Sequence, residues 1–491
     1  MVYLSKRKIK SFLEYFRDEI DYVIYEWHGL TKRKLNILLD IRFFFKLLKS
    51  KEEKDLFLNL TKSKEELLEF KFHRIKAIVK YAYKYVPFYR AFYDEKGFNP
   101  EDLKTWEDIT KIPILKKSIF KQAIREETIY STENKNWHFI CGETTGSTGV
   151  PTKVCIDSKT KSIRSFAIAR AWFINGILPS DPFILIWRNK GIDRRELLSF
   201  FFGHFLWIPV FNVMNVKSTS LDKEKIFSIL SKIEKFQPKV IRGYVSALYI
   251  LGKFYAKYKR KFNIKPEVII GSAEYLPPTI WDELEDIFGC KVINLYGGTE
   301  ASPIAISTTH SRELIVFEDV FHIDLVDFEG NTIFEAGKPG NILVTDLWNH
   351  YMPLIRYEIG DIAEWSGKYQ LGFRTFKEVK GRKNDIFVLP GGKILFSDVW
   401  YILFRDKEWI RKFKVIQEDI NKIRIILELD YQTLTKYQKQ LENLQKKIET
   451  SFGKDIHFEW EITDKIPLDK GEKFRHVVSN IDVNILLKEV K

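Results

Sequence analysis

Four short apolar runs constrain what this chain can fold into more than any other feature. They are 183–187 (Phe-Ile-Leu-Ile-Trp), 239–243 (Lys-Val-Ile-Arg-Gly), 268–271 (Val-Ile-Ile-Gly) and 291–296 (Lys-Val-Ile-Asn-Leu-Tyr). Each has the length of a buried strand, several end in glycine, and helical stretches separate them. Strand–glycine–helix alternation is the pattern of an α/β layered domain. Ligands of such sheets bind at the C-terminal ends of the strands, where these turns fall. After about residue 310 the texture changes. Residues 317–326 and 341–346 alternate as strands around glycine-rich turns, and 387–396 reads as a hairpin around Pro390-Gly391-Gly392. Residues 423–429 then read as a strand and 434–452 as an amphipathic helix. The fold class expected is α/β, with a large multi-layer domain followed by a small α+β domain.

Upstream of these runs lies Thr144-Thr145-Gly146-Ser147-Thr148-Gly149-Val150-Pro151-Thr152-Lys153. Glycines let backbone N–H groups approach an anion closely, hydroxyls add donors, and Lys153 adds charge. Such a loop can wrap a polyphosphate, or it can be a polar surface turn. It is not the P-loop, because Gly-x-x-x-x-Gly-Lys-[Ser/Thr] does not occur there.

Other short motifs follow in a fixed order: Gly271-Ser272-Ala273-Glu274, Tyr296-Gly297-Gly298-Thr299-Glu300, Arg356-Tyr357-Glu358-Ile359-Gly360-Asp361, Gly381-Arg382-Lys383-Asn384-Asp385 and Gly471-Glu472-Lys473-Phe474-Arg475. Together with loop 144–153 they resemble the signature set of the adenylate-forming superfamily of acyl-CoA synthetases, luciferases and peptide-synthetase adenylation domains. Upstream, Tyr81-Ala82-Tyr83-Lys84-Tyr85-Val86-Pro87-Phe88-Tyr89-Arg90, Pro100-Glu101-Asp102-Leu103 and Ile112-Pro113-Ile114-Leu115-Lys116-Lys117 are similar to the phenylacetate–CoA ligase-like branch. That branch includes members associated with capsular polysaccharide biosynthesis. The resemblance runs from about residue 70 to the C-terminus.

Residues 1–69, outside the resemblance, read from their apolar periodicity as a helical N-terminal extension. The resemblance implies a large adenylation domain (70–381) and a small mobile C-terminal lid domain (382–491). It implies an ATP-dependent, AMP-forming ligase that joins a carboxylic acid to the α-phosphate and expels pyrophosphate. Coenzyme A is the implied thiol acceptor, with a carrier protein or a sugar of a surface glycan as the alternative. By the same resemblance, Thr144, Thr145, Gly146, Ser147, Thr148, Gly149 and Lys153 hold phosphates. Ser272, Ala273 and Glu274 flank the adenine, and Tyr296, with Gly297 and Gly298 behind it, stacks on it. Thr299 and Glu300 hold the α-phosphate, and Glu300 is the implied Mg2+ ligand, a hard oxygen donor for a hard cation. Asp361 accepts from the ribose hydroxyls. Arg382 contacts ribose or phosphates, Asn384 marks the hinge, and Lys473 is the catalytic lysine. Glu472 is an extra residue before Lys473, and Lys470 competes for that role. Trp172, Phe173, Trp187, His204, Phe205 and Trp207 are candidates for an acid pocket, although aromatics in α/β domains are more often core.

The chain has 491 residues and a net charge of +14. With no nucleic-acid-binding motif, the basic excess reads as solvated lysine, and no nucleic-acid partner is expected. Three cysteines, Cys141, Cys155 and Cys290, argue against a disulfide framework, for a reducing compartment and for small buried roles at Cys141 and Cys155. No Cys-x-x-Cys pair suggests zinc. No signal peptide or spanning segment is evident, so a cytoplasmic protein is expected. Phe12, Tyr15, Phe16 and Ile20, then Phe43, Phe44, Leu47 and Leu48, form apolar stripes beside basic residues. They fit peripheral membrane contact or, more commonly, packing on the enzyme body or a second subunit, such as that of a homodimer. A catalytically inactive scaffold of the same fold is the rival from another class.

Overall fold

The computed structural model describes residues 50–133, 136–143, 152–178, 180–187, 205–209, 220–258, 261–382, 387–390, 393–395, 398–404, 407, 409–429, 431–452, 455–467 and 475–481. The apolar stripes expected within 1–49 lie outside these residues. Helices α1 (Lys51–Leu58) and α2 (Lys64–Tyr85) each open with a capping box, Ser50 with Glu53 and Ser63 with Glu66. Each serine satisfies an orphan N–H while the glutamate bonds back. Pro87 starts α3 (Pro87–Glu95), and α4 (Lys117–Arg125) follows. Hairpin strands β1 (Phe139–Glu143) and β2 (Lys153–Asp157) flank residues 144–151, and α5 (Ser158–Ile174) continues from β2.

The α/β alternation then appears as expected: β3 (Phe183–Trp187), β4 (Phe205–Pro209), α6 (Ser220–Phe236), β5 (Val240–Tyr244), α7 (Val245–Tyr258), β6 (Val268–Ser272), α8 (Pro278–Phe288) and β7 (Lys291–Tyr296). Strands β3 to β7 pair in parallel, in the order β4-β3-β5-β6-β7. The same sheet continues antiparallel through β8 (Ala305–Thr308), β9 (Ser311–Val316), β10 (Phe321–Val326), β11 (Pro339–Asp346), β12 (Tyr357–Gln370) and β13 (Phe373–Arg382). Eleven strands result, ordered β10-β11-β12-β13-β9-β8-β7-β6-β5-β3-β4.

The parallel strands are mostly apolar because both faces are covered, with Arg242 in β5 an exception. Ile184, Ile186, Ile241, Ile269 and Val292 pack with Leu230 of α6, Leu248 of α7 and Leu284 of α8. The alternate residues Phe183, Leu185, Val240, Ile270 and Ile293 pack on the other face with Ala167 and Trp172 of α5.

The boundary expected at 69/70 falls inside α2, and Leu56, Phe57, Leu60 and Leu67 belong to the main core. Buried ions fasten this segment further. Asp319 accepts from both Nη atoms of Arg170 (2.6 and 2.7 Å) and from Asn59 (2.9 Å), while Lys71 meets Glu318 at 2.8 Å. From residue 51 onward, the stretch expected as an extension is therefore part of the body.

The C-terminal part comprises β14 (Phe387–Leu389), β15 (Lys393–Leu395), α9 (Asp398–Phe404), β16 (Lys412–Asp419), β17 (Lys422–Glu428), α10 (Tyr431–Phe452), β18 (His457–Thr463) and β19 (Val477–Ser479). Its four-stranded sheet, β18-β17-β16-β19, packs with α10 around Trp400, Val415, Ile425 and Leu444.

One expectation is corrected. Cys141 and Cys155 are not separate buried fillers but a disulfide. The β1–β2 register sets them directly opposite each other, an alignment their spacing alone did not reveal. Cys290 is the free cysteine. Among the described residues, no helix is long and apolar enough to cross a membrane.

Candidate functional site

The C-terminal ends of β5, β6 and β7 converge with the adjoining ends of β12 and β13. Tyr296, the last residue of β7, donates its hydroxyl to Asp361 Oδ2 at 2.7 Å. Asp361 lies opposite Arg382 in the β12–β13 register, with Arg382 Nε 3.8 Å from Oδ1. Burial raises the Asp361 carboxyl above its ordinary 3.8, against the pull of the Arg382 guanidinium and the Tyr296 hydroxyl. Burial likewise lifts the Tyr296 phenol well above its usual value, so it remains a donor at neutral pH. The sequence thus placed these three residues together, and the fold brings them within contact.

Residues 297–304 form the turn from β7 to β8. Gly298 N–H donates to Ala301 O at 2.7 Å. A Cβ at Gly297 would lie 2.9 Å from Ser302 Oγ, and one at Gly298 would lie 3.4 Å from Glu300 Oε2. The two glycines let this turn fold tightly beside the Glu300 carboxylate. No helix starts at Glu300, so the alternative of a helix-terminal residue falls away. Its Oε1 meets Lys117 Nζ at 3.3 Å, and its backbone carbonyl accepts from Arg164 Nη2 at 2.9 Å. Arg164 is buried and also bonds Asp346 at 2.7 Å.

The hairpin reaches the same place. A Cβ built on Gly142 would come 3.4 Å from Thr299 Cγ2. The base of segment 144–151 therefore lies beside Thr299 and Glu300. Lys153 opens β2 and is exposed. Residues Thr144, Thr145, Gly146, Ser147, Thr148 and Gly149 lie outside the described residues, as do His204, Asn384, Lys470 and Lys473.

The turn after β6 carries Ser272, Ala273 and Glu274. Ala273 holds φ +68°, a left-handed conformation that costs an L-residue energy and often marks functional turns. Glu274 Oε2 accepts from Ser246 N–H at 2.8 Å, so this carboxylate secures the start of α7. Phe205 opens β4 opposite Phe183, at the N-terminal end of the parallel strands and away from these groups. Trp172 and Trp187 flank the Arg242 guanidinium, with ring centres 5.4 and 5.0 Å away.

Sequence reasoning gave no role to Lys117, Arg164 or Arg242. Lys117 stood within a quoted motif, Arg164 has no local signal, and Arg242 was visible as a charge inside an apolar strand. Lys117 is positioned by Arg356. That buried guanidinium donates to Thr110 O (2.6 Å) and Ile112 O (2.7 Å), and Leu115 bridges to Tyr357 just before α4. The carboxylate of Glu300 and the hydroxyl of Thr299 are hard oxygen donors next to two cations, a set that fits a magnesium-bound triphosphate. Clustered positive groups around the Glu300 carboxylate can bring two anions together.

Comparison with known proteins agrees with this geometry. The AMP-binding enzyme family matches residues 198–348, and the CapK C-terminal domain matches residues 390–480. Protein CapK of Staphylococcus aureus is 26% identical over 278 residues, which cover 55% of this chain and 59% of CapK, less than two thirds of its length. A phenylacetate-coenzyme A ligase of Thermus thermophilus is 24% identical over 381 residues, covering 72% of this chain and 79% of that enzyme. A solved 2-hydroxyisobutyryl-CoA ligase, in the postadenylation state with R3-HIB-AMP, shares the fold with a TM-score of 0.66 at 18% identity. That likeness covers 85% of this chain and 90% of the other.

Proposed function

From the chain's membership of the adenylate-forming superfamily, on the branch of the phenylacetate–CoA ligases and CapK, we propose that it activates a carboxylic acid with ATP and passes the acyl group to the thiol of coenzyme A. A carboxylate oxygen bonds to the α-phosphorus, the bond to the β-phosphate breaks, and pyrophosphate leaves. The thiolate then attacks the acyl carbonyl and AMP leaves. The observation that carries this reading is the convergence of Tyr296, Asp361 and Arg382 with Thr299, Glu300 and Lys117 at the strand ends of one sheet.

In this reading Asp361 holds the ribose through its carboxylate, and Tyr296 presents its ring to the adenine. Lys117 and loop 144–153 neutralise the phosphates, and Thr299 orients the α-phosphate. Magnesium, held by Glu300, supplies further charge neutralisation on the phosphate oxygens. Lys473 enters with the small domain, which begins after Arg382 and turns about Asn384. Residues 1–49 are assigned to packing on the body or on a second subunit, with a membrane surface as the other partner.

A second reading has its own support, the matches to CapK over the C-terminal domain and over 278 residues. There the activated acid passes to a carrier or to a sugar of a surface glycan instead of CoA. Pyrophosphate release from Mg-ATP, with hydroxylamine trapping the adenylate, tests the shared first step across aryl, fatty, hydroxy and amino acids. Release with one acid class is expected, and CoA consumption then separates the two acceptors. Silence with every acid, together with no detectable ATP binding, would overturn both.

A further inference from the structure

Arg242 is a cation in an apolar strand with one hydrogen bond. It lies within β5 between Ile241 and Gly243, and its neighbours across the register are Leu185 and Ile270. Its guanidinium sits over two indoles, 5.4 Å from the Trp172 ring centre and 5.0 Å from that of Trp187. Nε donates to Ser272 Oγ at 3.3 Å. Among the described residues no carboxylate pairs with it. Burial pushes its pKa down to about 10, which still leaves it charged at neutral pH.

A guanidinium offers five donors in a flat fork, and one is used here. The indole faces flank a partly exposed guanidinium and leave four donors available to a ligand. Trp187 also packs on Tyr244 at 4.6 Å, so the fork is held in a fixed plane. A planar fork between aromatic walls suits a carboxylate accepted in bidentate fashion.

The depth of Arg242 decides which carboxylate. Tyr296 ends β7, whereas Arg242 lies two residues before the end of β5 and two strands away, with its Nε bonded to Ser272 at the end of β6. Strand spacing puts its Cα roughly 10 Å from the Tyr296 end, where the reacting carboxyl meets ATP in the reading above. The group at Arg242 is then the far end of the acid. We propose that Arg242, between Trp172 and Trp187, recognises a second carboxylate on the substrate, so that the acid activated is a dicarboxylic acid. This specificity rests on the acid-activating reading above.

The test pairs acids of equal length in the pyrophosphate assay: adipate against hexanoate, and terephthalate against 4-methylbenzoate. Wild type is expected to favour the diacids at least ~10-fold in kcat/KM, within the range of a charge-assisted hydrogen-bonded pair. Arg242→Met keeps the bulk between the indoles and should lose that preference while turning over the monoacids at least as well. Arg242→Lys keeps the charge without the fork and should fall between. Unchanged ATP-induced thermal shifts in both variants establish that they fold. A wild-type preference for the monoacids, or an equal change for both acids in Arg242→Met, would overturn the assignment. If no acid releases pyrophosphate, the activating reading fails. Calorimetry with adipate alone then decides this one: binding lost in Arg242→Met supports it, and no binding to wild type overturns it.

Discussion

At the scale of the residue, Asp361 is the most exposed to test. Its carboxyl is raised by burial, with Arg382, Tyr296, Glu300 and Lys117 around it. The ionised form is the one that accepts from ribose hydroxyls. Nucleotide affinity should therefore fall on acidification at a higher pH than an ordinary carboxylate near 3.8 would give. Asp361→Asn should weaken ATP binding about 10-fold or more and flatten that pH dependence, read by calorimetry across pH. An unchanged pH profile in the variant would remove Asp361 from nucleotide binding. Because the folded carboxyl sits above its unfolded value, its own effect on folding stability runs the other way, improving as pH falls from the raised pKa towards 3.8. Ala273 offers a second test. Its left-handed φ costs about 1–2 kcal/mol, so Ala273→Gly should leave stability unchanged or raise it by up to ~1 kcal/mol in urea titrations. A clear loss would mean that the methyl group packs usefully. That Tyr296 and Asp361 belong to one site was legible from their motifs, because each motif is a contiguous string. Arg164 was not, because its partners Glu300 and Asp346 are 136 and 182 residues away.

At the scale of the element, the two hubs are Asp319 and the β1–β2 hairpin. Asp319 joins the end of α1, through Asn59, to α5, through Arg170, inside the core. Asp319→Ala leaves a buried guanidinium unpaired and should cost about 3–5 kcal/mol, visible as a lower thermal midpoint. A loss below ~1 kcal/mol would show that water reaches Arg170. Neighbouring Glu318 is buried, which alone would raise its carboxyl, but Arg374 and Lys71 outweigh this and hold it below its ordinary 4.5. Its stabilisation is present above about pH 4.5 and is lost as pH falls below that value towards the folded pKa. In the hairpin, Cys141 and Cys155 are joined beside the segment that precedes Thr299's neighbourhood. Thiol titration of the unreduced, denatured chain should count one thiol, that of Cys290. Three would show the hairpin open. The helix starts at Ser50, Ser63 and Pro87 follow from capping, which is local chemistry. Strand order has no such local signal, because it depends on pairings across the whole chain.

At the scale of the whole molecule, the eleven-stranded sheet carries the nucleotide side, and a separate four-stranded sheet carries the C-terminal part. The two meet where Tyr275 approaches Tyr401, at 6.3 Å between ring centres, and where Ile466 enters the core on the α7–α8 side. In the proposed reaction the smaller part turns between half-reactions, about Asn384. Asn384→Pro restricts the backbone there and should slow acyl transfer to the thiol more than pyrophosphate release, measured as two separate single-turnover rates. Equal slowing of both would refute a selective hinge role.

What the sequence determined by itself was whatever is written locally: the α/β class from strand–glycine–helix alternation, and the contiguous motifs whose residues Tyr296, Asp361 and Arg382 the fold brings together. Only the tertiary structure decided which distant residues share a space. It drew residues from 51 onward into the core, and joined Cys141 to Cys155. It set Lys117 against Glu300, and left Arg242 between two tryptophans without a carboxylate among the described residues. The reason is physical. Propensity, capping and turn chemistry act over a few residues, whereas burial and ion pairing depend on register and strand order, which the chain settles only when the whole sheet closes.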